Sequence, residues 1–146
     1  MKNNLKIILF ILLFALMNTK TFADEKFYYE AKEIEIFEKG NIIKATKDIN
    51  IILNNNIKIT TDQFIYNKKA GLLELIGNIK IVDSKNDLII ETNKVYFSEV
   101  ENKFYSNSET DFIFSNIYSG KTNSFNYSID KKELISDDEV QIYDNK

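Results

Sequence analysis

Apolar and polar residues alternate in short runs along most of the chain after residue 24, as in Ile57-Lys58-Ile59-Thr60 and Ile79-Lys80-Ile81-Val82. A period of two places successive side chains on opposite faces of a strand. Val95-Tyr96-Phe97, Phe112-Ile113-Phe114 and Ser124-Phe125-Asn126-Tyr127 add the β-branched and aromatic clusters that favour strands. Turn formers separate them: Lys39-Gly40-Asn41, Asn54-Asn55-Asn56, Lys69-Ala70-Gly71, Ser84-Lys85-Asn86-Asp87 and Ser128-Ile129-Asp130-Lys131-Lys132. The stretch from Glu30 to Phe37 alternates through Ile34 and Ile36 rather than stepping by three or four. The pattern predicts an all-β domain built of antiparallel strands.

A repeat underlies the alternation. Segments beginning at Ala31, Thr61, Thr92 and Thr122 each have a small residue, two polar residues and then an apolar or aromatic alternation, at spacings of 30, 31 and 30 residues. A second set begins at Asp48, Asn78, Glu109 and Glu139 with the same spacings. Each repeat therefore reads as two strands joined by a turn, and four repeats give about eight strands. A unit this small cannot bury its own apolar face, so neighbours must share one interior.

The first residues differ from the rest. Met1 to Lys6 carries two lysines, Ile7 to Met17 is an unbroken apolar run of eleven residues, and Thr21-Phe22-Ala23 supplies small residues at −3 and −1. This is the pattern of a secretory signal peptide, 1–23, with a mature domain over 24–146. The apolar run is shorter than the ~18–20 residues of a spanning helix; the alternative is an uncleaved anchor. Cleavage removes Lys2, Lys6 and Lys20 and takes the net charge from −3 to −6.

Composition narrows the chemistry. The 146 residues contain no cysteine, histidine, tryptophan or proline, and every basic residue is a lysine. Disulfides, thiolate or imidazole metal sites and Ser-His-Asp or Cys-His nucleophile pairs are excluded. So is bidentate arginine recognition of phosphate or guanine, and the acidic balance gives no case for nucleic acid as a partner. The carboxylates of Asp137-Asp138-Glu139, and of Glu99 with Glu101, read as solvated charge, since adjacent strand residues point to opposite faces and no calcium-loop spacing is present. Asp62 is expected to cap a turn, and Gly71 and Gly77 to supply positive φ. Lys68-Lys69 and Lys131-Lys132 sit in turns, where they serve solubility or touch a phosphate. Nothing points to an enzyme, and no cofactor or metal is expected.

Ile59-Thr60-Thr61-Asp62-Gln63-Phe64-Ile65-Tyr66-Asn67, followed by Leu73-Glu74-Leu75-Ile76-Gly77-Asn78-Ile79-Lys80-Ile81, resembles the OstA-like domain of lipopolysaccharide-transport proteins, and the likeness extends from about Glu30 to Tyr143. Other copies depart from the motif: Lys47-Asp48, Ser108-Glu109 and Asp138-Glu139 stand where Gly77-Asn78 does. The resemblance implies a folded-over, antiparallel, open-ended sheet stack (a β-jellyroll) with an apolar interior groove. It implies carriage of lipopolysaccharide through its lipid A moiety across the periplasm, either free there or associated with the outer membrane. It also implies partner OstA-like domains, in homo- or hetero-oligomers, stacked edge to edge. Candidates for the groove lining are Ile49, Ile51, Ile57, Ile59, Ile79, Ile81, Ile89, Phe112 and Ile142. A closed core built of these same residues is the competing arrangement, and groove width separates the two. Two other readings stay open: the N-terminal domain of the outer-membrane lipopolysaccharide-assembly barrel protein, and a structural or adhesive β-repeat module. A carboxylate-based glycosidase is disfavoured by small size and the lack of tryptophan.

Overall fold

The structure is a computed structural model that describes residues 27–145; the expected signal peptide lies outside the described residues. Its strands are β1 (Phe27–Glu30), β2 (Glu33–Phe37), β3 (Ile42–Leu53), β4 (Ile57–Asn67), β5 (Leu72–Asp83), β6 (Leu88–Ser98), β7 (Lys103–Ser106), β8 (Thr110–Phe114), β9 (Tyr118–Thr122), β10 (Phe125–Ser128), β11 (Glu133–Ile135) and β12 (Gln141–Asp144). A single 3₁₀ turn, Glu38–Gly40, joins β2 to β3. All pairings are antiparallel.

The chain makes eight passes of a meander, each bent near its middle. β3, β4, β5 and β6 each run through the bend; the pairs β1/β2, β7/β8, β9/β10 and β11/β12 are passes broken at it. One half of every pass pairs in one layer (β1, β8, β9, β12 and the matching halves of β3–β6). The other half pairs in a second layer with β2, β7, β10 and β11. The layers face each other across the core. Rings meet across it, Phe27 against Tyr66 at 4.8 Å and Tyr29 against Phe64 at 5.1 Å between centroids, both edge-on.

The crease is where the repeat markers fall. Register shifts lie between Thr46 and Ile49, Thr60 and Gln63, and Ile76 and Ile79. The markers thus sit in the middle of a pass and not at strand starts as the pattern suggests. Gly77 and Asn78 bulge there with φ of 76° and 41°, and Lys47 and Asp48 adopt the same left-handed backbone, φ 65° and 51°. Ser108-Glu109 and Asp138-Glu139 stay out of that region, and their passes break instead. A Cβ on Gly77 would lie 2.6 Å from Asp62 Oδ2, the atom that accepts a 2.7 Å bond from Asn78 Nδ2, so Asp62 braces the bend.

Bending a ladder frees carbonyls, and buried hydroxyls answer them. Thr61 Oγ1 is 3.0 Å from the Ile76 carbonyl and 3.1 Å from that of Gln63. Thr92 Oγ1 donates to the Glu109 carbonyl at 2.9 Å, Ser106 Oγ to that of Lys94 at 2.6 Å, and Thr122 Oγ1 to that of Ser124 at 3.0 Å. Among the described residues no buried side-chain nitrogen or oxygen lacks a partner. The repeated threonine is therefore the crease's own satisfier.

Candidate functional site

Inward positions form rows that cross the sheet. One row reads Ile51, Ile59, Ile81, Ile90, Phe112, Gly120, Ile142 through successive registers. In the facing layer another reads Ile43, Tyr66, Leu73, Phe97, Phe104, Tyr127, Leu134. From β3 to β6 both rows are occupied by large buried side chains, and β1 adds Phe27, whereas β2 is exposed along its length. Ile49, Ile51, Ile57, Ile59, Ile79 and Ile81 are each at most 2% exposed and belong to this closed core, together with Phe64, Leu73 and Leu75.

The layers part towards the last passes. An apolar cleft of about 610 Å³ opens there, lined by Leu88, Phe112, Phe114, Tyr118, Phe125, Tyr127, Leu134, Val140 and Ile142, with Asn86, Thr122, Lys132 and Ser136 as its polar members. Of the nine groove candidates, Phe112 and Ile142 line it. Ile89 does not face the interior: Leu88 and Ile90 on either side of it are buried, and Ile89 lines a shallow hollow with Val82 and Asn116. The repeat itself carries this assignment. Thirty-one residues separate Thr61 from Thr92, and the same step takes Lys58, an outward residue, to Ile89 and takes Ile59 to Ile90.

Phe114, Tyr118, Phe125, Tyr127, Leu134 and Val140 are lining residues that the period-two reading alone does not single out. The repeat step could have found several of them, since Phe64 steps to Val95 and Phe125, and Tyr66 to Phe97 and Tyr127. It also finds the vacancies: Leu75 steps to Ser106 and Ser136, and Ile59 to Ile90 and then Gly120.

A polar clasp marks the border between the closed core and the cleft. Tyr127, on β10, donates its hydroxyl to Asp83 Oδ2, at the end of β5 in the other layer, at 2.5 Å. Asn86 Nδ2 donates to the same carboxylate at 2.8 Å and reaches the Tyr127 oxygen at 3.0 Å. The other carboxylate oxygen accepts the backbone N–H groups of Lys85 and Asn86 at 3.0 and 3.2 Å. Burial, and then the Asp83 carboxylate, push the Tyr127 phenol far above its ordinary range, so it is a neutral donor at any physiological pH. Beyond the clasp, Asn86 and Lys132 also line a smaller polar cleft of about 270 Å³ with Asn102 and Asp130.

Asp137, Asp138 and Glu139 are exposed, and Glu101 pairs with Lys103 at 3.0 Å. No group of carboxylates among the described residues is placed to hold a metal ion. The arrangement is an apolar recess with a polar border.

No protein-family model and no curated protein matches the sequence. The fold does have a solved counterpart. The crystal structure of LptH from Pseudomonas aeruginosa, described as the LptA homologous periplasmic component of the conserved lipopolysaccharide transport device, superposes with a TM-score of 0.70. The match covers 82% of this chain and 95% of LptH at 9% sequence identity. The likeness is one of fold: this chain is an all-β, folded-over antiparallel sheet of the LptA-like β-jellyroll kind.

Proposed function

We propose that this chain is a periplasmic component of lipopolysaccharide transport, exported by cleavage of the 1–23 segment, that shields lipid acyl chains between the inner and outer membranes. The observation that carries this reading is the apolar cleft at the open end of a sheet with the LptH-like fold. A carrier needs a water-excluding recess with few oriented polar groups and no reacting ones, which is what Phe112, Phe125, Leu134 and Ile142 with Asn86 and Lys132 provide. The unpaired outer edges of β1/β2 and β11/β12 suit edge-to-edge addition of a like domain, which would extend the recess by backbone hydrogen bonds.

Photo-crosslinking residues at Phe112 or Ile142 in the exported protein should give lipopolysaccharide adducts, and one at Lys69, in a turn remote from the cleft, should give few. Equal labelling at all three positions overturns the reading. Intact mass of the exported chain should correspond to a start at Asp24; a mass that retains 1–23 would make the protein an anchored one.

A further inference from the structure

The inward row that crosses the cleft wall contains one gap. Ile90, Phe112, Gly120 and Ile142 follow one another through paired registers, and Gly120 has no side chain to present. A Cβ built there would lie 2.3 Å from Phe112 Cζ and 2.8 Å from its Cε2, so the Phe112 ring lies down across the glycine. On the far side the same Cβ would meet the Gln141 carbonyl at 2.7 Å. Gly120 is absent from the left-handed glycines, which are Gly40, Gly71 and Gly77, so no turn requires it. Glycine in an ordinary strand position weakens the strand and marks a close approach. Here the approach is that of the ring.

The ring has one way out. Ile90, its neighbour on the other side, is fully buried and leaves no room, while the space above is the cleft that Phe112 lines. Any side chain at 120 would drive the ring upward and divide the cleft. About 610 Å³ lies within the ~300–1,000 Å³ range of ligand sites, and the cleft is open at the end of the sheet. We propose that Gly120 and Phe112 form a ruler: the lowered Phe112 ring sets how long an acyl chain the cleft takes. This rests on the lipid-carrier reading.

The test is competition by straight-chain fatty acids of increasing length against a fluorescent fatty acid bound to the mature protein. Phe112→Ala should move the preferred length upward. Gly120→Ala should move it downward and weaken binding at the wild-type optimum by about tenfold, the scale of a methylene-sized misfit in an apolar pocket. The double variant should return to the wild-type length or beyond. Thermal unfolding of each variant verifies that it is folded. An unchanged profile in Phe112→Ala overturns the ruler whatever happens to the glycine variant. Equal weakening in Gly120→Ala and the double variant also overturns it, because that places the effect at the Gln141 carbonyl. If the wild type binds no fatty acid the ruler falls, while the carrier reading stands or falls on the lipopolysaccharide adducts at Phe112 and Ile142.

Discussion

The first five passes of the meander and the last three are built on one repeat, yet they differ in what occupies the space between the layers. In the first five, inward positions carry Ile51, Ile59, Phe64, Leu75, Ile81 and Phe97, all buried. In the last three, two of the equivalent positions shrink, Leu75 to Ser106 and Ser136 and Ile59 to Gly120, while Phe125 and Tyr127 stay large, and the strands shorten from the 11 or 12 residues of β3–β6 to between 3 and 5. Pairing between passes is kept through both regions, since the crease hydroxyls recur at Thr61, Thr92 and Thr122. A recess can thus be opened in this architecture by shortening side chains at fixed register. Each large apolar side chain left unburied forgoes roughly 1.5–3 kcal/mol, so the closed passes must hold the fold that the open ones use.

The sharpest way to break that comparison is to truncate equivalent inward residues in the two regions. Ile59→Ala in the closed core should cost about 2–5 kcal/mol, read from the urea midpoint at constant slope. Ile142→Ala, at a residue 65% exposed beside the cleft, should cost well under about 1 kcal/mol. Similar losses at both sites would mean that the cleft is a packed core.

Next in size is the border. Tyr127→Phe removes the shortest bond to a buried carboxylate and leaves Asp83 with less than its full complement, a loss of about 1–3 kcal/mol. The phenol is held protonated in the folded chain, so its contribution is complete below its ordinary pKa of about 10 and lost as pH rises past that value. Alkaline unfolding should therefore be steeper in the wild type than in Tyr127→Phe. If the two curves are parallel above that pH, the clasp does not couple the layers.

The crease gives a smaller contrast. Gly77→Ala forces a side chain into a left-handed position against Asp62 and should cost about 1–2 kcal/mol. Lys47→Gly, at the equivalent bend of β3, relieves the same backbone conformation while losing the lysine's pairing with Glu33 and should be close to neutral. A large loss at Lys47 would place its role in that ion pair and not in the bend.

Much of this was legible in the sequence, and the remainder has physical causes. Two marker sets with spacings of 30, 31 and 30 residues identify eight passes, and the isoleucine alternation identifies the inward face of β4 and β5. The crease is hidden because a threonine followed by polar residues looks the same at a strand start as at a bend. It also breaks the period. Inward residues step by three across it in β4, from Thr61 to Phe64, and in β6, from Thr92 to Val95, which reverses their parity, whereas β5 steps by four, from Leu75 to Ile79, and keeps it. A continuous apolar run such as Leu88-Ile89-Ile90 then has no parity of its own, and Ile89 is oriented only by alignment with Lys58. The cleft is hidden for a different reason: it depends on residues that are small, Gly120 under the Phe112 ring and Ser136 in the lining, while a search for a lining looks for the large ones.

The smallest expected change in stability concerns the two outer edges, one beside each region. The first edge exposes Ile34, Ile36 and Phe37 and the last exposes Ile135, Ile142 and Tyr143. Both belong to strands with one free side, where an inward-pointing charge is an effective block to pairing. Ile36→Lys and Ile142→Lys replace residues 66% and 65% exposed and should each alter stability by no more than about 0.5 kcal/mol. Their effect should fall on association. A first edge adding to a last edge is a heterologous contact that does not close, so wild-type chains should form progressively longer species as concentration rises in sedimentation velocity. Each variant alone has one blocked edge of the two that every junction needs, and should remain monomeric. Mixed together, the free last edge of Ile36→Lys can still meet the free first edge of Ile142→Lys, and assembly should stop at the dimer. Long species in either variant alone would show that the edges are not the joining surfaces, whereas dimers in the mixture and monomers in the separate samples would fix both the surfaces and their polarity.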